Sequence, residues 1–133
     1  MLFLKFRSSL ENLKIAEILF NKFLNYQNLS EERRFWLNFS IHEIALNAVV
    51  HGNKRKISKW VNISIKKIKN LLKIEITDEG FCKSCPKVED PRTKKNIFKK
   101  HGRGLFIAKN GVDELKFKIL KKKNLKVILK VKI

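Results

Sequence analysis

The stretch Glu43-Ile44-Ala45-Leu46-Asn47-Ala48-Val49-Val50-His51-Gly52 decides the reading of this chain. Glu43, Asn47 and His51 recur at spacings of four, so on a helix they share a face. A carboxylate, an amide and an imidazole stacked along an otherwise apolar helix are costly unless they are paired or face a cavity. The plain alternative is a helix edge that meets solvent. Working upstream, Ser30 followed by Glu31, Glu32 and Arg33 is a helix start, with acids at the positive end of the dipole. Phe35, Trp36, Phe39, Ile44, Leu46 and Val50 cover most of this helix's circumference, which predicts a buried central helix ending near Gly52. Further upstream, residues 2–6 read as an edge strand. Leu10, Leu13, Ala16, Phe20, Phe23 and Leu24 then fall on one face of a first helix opened by Ser8 or Ser9.

Downstream the period changes to two. Val61, Ile63 and Ile65 alternate with polar partners, as do Leu72, Ile74 and Ile76. Leu115, Phe117 and Ile119 repeat the pattern, followed by Leu125, Val127, Leu129, Val131 and Ile133. Turns are expected at 69–70 and 122–124. A short helix is expected from Arg103 to about Asn110, with Gly111 as its terminator. Together these elements predict an α+β fold. It is a two-layer α/β sandwich whose mixed, mostly antiparallel sheet is covered on one face by three helices.

Residues 81–101 form the one long irregular stretch of this reading, and both prolines and both cysteines lie in it. A loop of about 20 residues in a compact domain is usually functional, which points to a lid. Thr77-Asp78-Glu79-Gly80 ends a strand just before it, and His101-Gly102-Arg103-Gly104-Leu105 opens a helix just after it. Glycines at a helix start let N–H groups approach a phosphate, although G-x-G alone is equally a tight turn. Cys82-Lys83-Ser84-Cys85 is half of a zinc site at most, with His51 or His101 as further ligands in principle. Two ordinary loop thiols is the favoured reading.

The chain has 133 residues, a hydrophobic content of 44% and a formal charge of +19. That size fits one domain, residues 1–133, and that composition excludes a disordered chain. Apolar runs fall far short of the ~20 residues that span a bilayer, and no secretory signal is evident, so a cytoplasmic setting without membrane is expected. The excess lysine reads first as a solvated surface, because it is spread through nearly every segment with few aromatics among it. Nucleic acid ranks behind that reading as a partner.

The order of these pieces resembles the Bergerat-fold ATPases, the superfamily of gyrase, histidine kinases and mismatch-repair ATPases. Within it the likeness is closest to the bacterial anti-sigma factor serine kinases. It rests on E-x-x-x-N-A-x-x-H-G (43–52), D-E-G (78–80), D-P (90–91), G-R-G-L (102–105) and the pair Val112-Asp113, and it covers nearly the whole chain. The resemblance implies ATP and magnesium as ligands. Asn47 would hold the metal and Glu43 would be the general base. Asp78 would accept from the adenine amino group beside Gly80, and Gly102, Arg103, Gly104 and Leu105 would offer N–H groups to the phosphates. It also implies a serine-bearing partner of the anti-anti-sigma type, a sigma factor, or both, and leaves a homodimer open. Two departures stand out. Cys82 is near the place of the family's usual second glycine, and residues 125–133 lack its usual Thr or Ser. An ATP-dependent interaction module without kinase activity, and a basic nucleic-acid-binding domain, are the competing readings.

Overall fold

The structure is a computed structural model that describes residues 1–86 and 103–133. Its elements are β1 (Leu2–Arg7), α1 (Leu10–Asn25), α2 (Glu31–Asn47), a π-helical turn (Ala48–Gly52), β2 (Trp60–Ile68), β3 (Leu71–Thr77), α3 (Arg103–Asn110), β4 (Glu114–Ile119) and β5 (Leu125–Lys132). Local chemistry explains the boundaries. The Ser9 hydroxyl accepts from Asn12 N–H and the Ser30 hydroxyl from Arg33 N–H, each at 3.1 Å, so both helices begin at the seryl caps expected of them. Gly111 N–H returns to the Ile107 and Ala108 carbonyls and ends α3.

The sheet runs β1-β2-β3-β5-β4, and all its pairings are antiparallel. β5 slots between β3 and β4, so the segment carrying α3 crosses to the edge before the chain returns inward. Val61, Ile63, Ile65, Leu72, Ile74, Ile76, Val127, Leu129 and Val131 turn one face inward, against Leu13, Phe20, Leu24, Leu37, Ile41 and Ile44 of the helices. This is the two-layer α+β sandwich read from the sequence, except that the sheet is antiparallel throughout the described residues and not mixed, since no described strand pairs in parallel with a neighbour. No helix among the described residues is long and apolar enough to cross a membrane.

Two expectations about the second helix are corrected. It is not buried all round: Phe35 is 62% exposed and Trp36 39%, and these rings pack edge-on against each other rather than into the core. The buried stripe is Leu37, Ser40, Ile41, Ile44 and Ala45. The α-helix itself stops at Asn47, and Ala48–Gly52 continues as a wider π turn closed by Asn53 N–H on the Ala48 carbonyl at 2.8 Å. Such turns occur mostly as single-turn features near functional sites. Lys54 and Arg55 then take positive φ, and Arg55 N–H bonds the Val49 carbonyl at 2.8 Å, so the chain reverses abruptly toward β2. The proposed lid at 81–101 lies outside the described residues from 87 onward.

Candidate functional site

A cavity of about 380 Å³ opens between α2, the π turn and the ends of the central strands. Its walls are largely apolar, with Ile44, Ile76, Leu105, Phe117, Leu125 and Val127 contributing. The polar groups in it are few and come from the stretches singled out in the sequence: Asn47, His51 and Asp78. Gly52, Gly80 and Cys82 also line it.

Asp78 follows the last residue of β3 and is only 5% exposed. Its Oδ1 accepts from Gly80 N–H at 2.9 Å and more weakly from Leu125 N–H at 3.4 Å. Its Oδ2 has no hydrogen-bond partner among the described residues and lies beside Gly52. Burial pushes the carboxyl above its ordinary pKa, against the Gly80 and Leu125 N–H groups and the Lys59 charge, which pull it down. An unpartnered carboxylate oxygen in an apolar cleft suits a ligand that brings an N–H donor on a flat apolar ring.

Close backbone approach builds this end. A Cβ at Gly52 would fall onto the Asp78 carboxylate, and one at Gly80 onto the Gly52 carbonyl. The π turn and the D-E-G turn therefore touch through their two glycines.

Asn53 holds that contact together. It is fully buried; its Nδ2 donates to Ser8 Oγ at 2.6 Å and to the Trp60 carbonyl at 2.9 Å, while its Oδ1 accepts from Glu79 N–H at 2.8 Å. Glu79 Oε1 accepts in turn from Trp60 N–H at 2.5 Å, and Asn124 Nδ2 donates to the Gly80 carbonyl at 2.9 Å. Sequence reasoning passed over Asn53, Glu79 and Asn124. The one signal available for Asn53 was its place directly after the E-x-x-x-N-A-x-x-H-G run.

The α2–α3 end is simpler. Asn47 lines the cavity, and Glu43, one turn earlier, does not. The Glu43 carboxylate instead sits where a Cβ on Gly104 would be, so it lies against the start of α3. Leu105 reaches the cavity from that same first turn, whose N–H groups have no partners within the helix. Gly102, and the Asp90-Pro91 pair, lie outside the described residues. His51 is exposed at the cavity wall, and His42 instead contacts Glu17 of α1 through Nδ1. Cys82 and Cys85 are free thiols, and no group of three or more metal-ligating side chains occurs among the described residues. Asp113, from the Val112-Asp113 pair, works at a distance: it pairs with Arg33 at 2.9 Å and accepts from Lys132 N–H at 2.6 Å, tying α2 to the end of β5.

An apolar cleft with one buried carboxylate and a helix start at its rim suits a flat ligand that brings an N–H donor and a negative charge. The family can be given directly. A family model of the histidine kinase-like ATPase domain matches residues 6–131, and the chain belongs to that family. An ATPase domain of this kind binds ATP. A search of curated proteins found no match to the chain.

Proposed function

We propose that this chain is a regulatory protein that transfers the γ-phosphoryl group of ATP to a serine hydroxyl on a partner protein, and that it sequesters a partner such as a sigma factor. One observation carries the reading: a cavity with apolar walls, Asn47 and an Asp78 Oδ2 that has no hydrogen-bond partner among the described residues, bordered by the first turn of α3.

In this reading Asp78 accepts from the adenine amino group, with Gly80 keeping the wall open to the ring. Asn47 offers an amide oxygen to magnesium, a hard cation that prefers oxygen ligands. Backbone N–H groups of Arg103, Gly104 and Leu105, with Gly102 ahead of them, meet the phosphates. Glu43 takes the proton of the incoming hydroxyl. The serine oxygen bonds to the γ-phosphorus as the bond to the β–γ bridging oxygen breaks, and ADP departs. When bound at Asn47, magnesium would supply neutralisation of the charge that spreads over the transferring group.

A second reading rests on a specific feature. Glu43 lies against Gly104 and outside the cavity lining, which suits an interaction module in which ATP occupancy sets the shape without transfer.

The test is incubation with γ-labelled ATP, magnesium and candidate serine-bearing partners, run beside calorimetry. Label on a partner serine supports the kinase. Magnesium-dependent ATP binding with no transfer to any partner leaves the module, and no ATP binding removes both. Asn47→Ala should weaken magnesium-ATP binding by about tenfold or more, because the metal loses a ligand.

A further inference from the structure

The charge of +19 is not spread evenly over the two layers. α1 carries two acids and two lysines, and α2 three acids and two arginines, so the long helices are close to neutral. The outward face of the sheet is different. Along it nine Lys and Arg residues alternate with the core positions, against two carboxylates, Glu75 and Glu114.

Register sets these cations in a grid. Lys66, Lys73 and Lys130 stand side by side on β2, β3 and β5, about 4.8 Å apart from strand to strand. Lys126 and Lys132 flank Lys130 along β5 at intervals of roughly 7 or 14 Å. Glu75 is shared between Lys73 at 3.2 Å and Lys126 at 2.8 Å, and Glu114 between Lys116 at 2.7 Å and Lys130 at 3.4 Å. Each carboxylate thus answers two cations, while Lys66 and Lys118 have no carboxylate partner among the described residues. At the β1 corner, Lys5 and Arg7 lie over the Trp60 ring at 4.8 and 4.0 Å from its centroid. Phe3 on the same face is 57% exposed.

We propose that the open face of the sheet is a sequence-independent binding surface for the backbone of single-stranded nucleic acid, separate from the nucleotide cavity. Charge complementarity selects a polyanion, since a lysine grid releases counterions from a phosphate chain. Composition then separates the polyanions. Protein interfaces are depleted in lysine and anchored by buried aromatic, Met and Arg side chains, whereas nucleic-acid interfaces are polar and strongly positive. This face is the second kind. A five-stranded sheet, about 19 Å across, is wider than the ~12 Å major groove that admits a helix or a two-stranded ribbon, but an unpaired strand can lie along it, with Phe3 available to a base. The proposal does not depend on kinase activity.

The test uses a fluorescein-labelled oligothymidylate of about 20 nucleotides, followed by anisotropy across a salt series with saturating magnesium-ATP present. The parent chain should bind at low salt, with affinity falling steeply as salt rises. Lys66→Glu with Lys118→Glu should weaken binding by about tenfold or more and flatten the salt slope by about 1.4, two contacts at ~0.7 each. Lys14→Glu with Lys22→Glu, which changes net charge equally on α1, should stay within about twofold of the parent. Circular dichroism and ATP affinity should match the parent in both variants. Absence of binding by the parent at low salt overturns the proposal, as does an equal loss in the α1 variant. It also fails if poly-glutamate or anionic vesicles bind this face and the oligonucleotide does not.

Discussion

The two ends of the cavity are built in opposite ways. At the Asp78 end every neighbouring segment is braced. Asn53, Glu79, Gly80 and Asn124 join Ser8 between β1 and α1, the π turn, β2, the end of β3 and the β4–β5 turn through hydrogen bonds of 2.5 to 2.9 Å. At the α2–α3 end, the Asn47 and Glu43 side chains have no hydrogen-bond partner among the described residues, and Glu43 rests against the start of α3 at Gly104. Buried polar networks fix a geometry before any ligand arrives, and their members cannot shift singly. The contrast suggests that recognition is prepaid in the fold, whereas the groups assigned to transfer are left free to turn.

The largest expected effect lies at the free end. Glu43→Gln keeps shape and most hydrogen bonding while removing the base. If Glu43 acts in transfer, single-turnover phosphorylation should fall by roughly two to four orders of magnitude with ATP affinity within a few fold. Unchanged transfer would remove Glu43 from the role of base.

The next prediction sharpens the comparison through two glycines. A methyl at Gly80 meets the Gly52 carbonyl, part of the braced backbone, whereas one at Gly104 meets the tip of the Glu43 side chain, which can swing away. Gly80→Ala should therefore destabilise the fold by about 1–3 kcal/mol, the usual range for overpacking. Gly104→Ala should cost under about 1 kcal/mol, since one rotamer change relieves it. Urea unfolding of the two variants measures the difference, and equal losses would break the contrast between the ends.

The smallest effect is a pH dependence. Because burial raises the Asp78 pKa, the folded state keeps a proton that the unfolded chain has already released. Stability contributed by that proton is present below the unfolded value and is lost as pH rises through the folded one. ATP affinity should run the other way, falling by at most about tenfold per pH unit on acidification through the raised folded pKa, since the protonated carboxyl loses its acceptor charge. Asp78→Asn should remove this component from a calorimetric pH series.

Much of this molecule was legible in its sequence because the signals are local. Alternation marked four of the strands, Ser30 and a serine at 8 or 9 announced the helices, and the seven described residues expected in the site (Glu43, Asn47, Asp78, Gly80, Arg103, Gly104 and Leu105) fall where one helix, one strand end and one helix start meet. Other features were not legible. Alternation says that β4 and β5 are strands, but not that β5 inserts beside β3. Apolar content could not tell that Phe35 and Trp36 face outward, because which stripe is buried depends on what packs against it. The π turn has no residue signature. Asn53 reads as a turn residue, and its burial depends on Ser8, 45 positions away. The sheet's charge asymmetry emerged only once register put the lysines of separate strands on one face.

The central claim is that Asp78 Oδ2 waits for a ligand N–H, and calorimetry of ATP binding to Asp78→Asn tests it most directly. Asparagine keeps an oxygen for Gly80 N–H and sets an NH2 group where Oδ2 stands, so a donor would face a donor. The account predicts a loss of about 1.5–3 kcal/mol, roughly ten- to a hundredfold in affinity, from a variant that remains folded. Unchanged ATP affinity in a folded Asp78→Asn protein would contradict it.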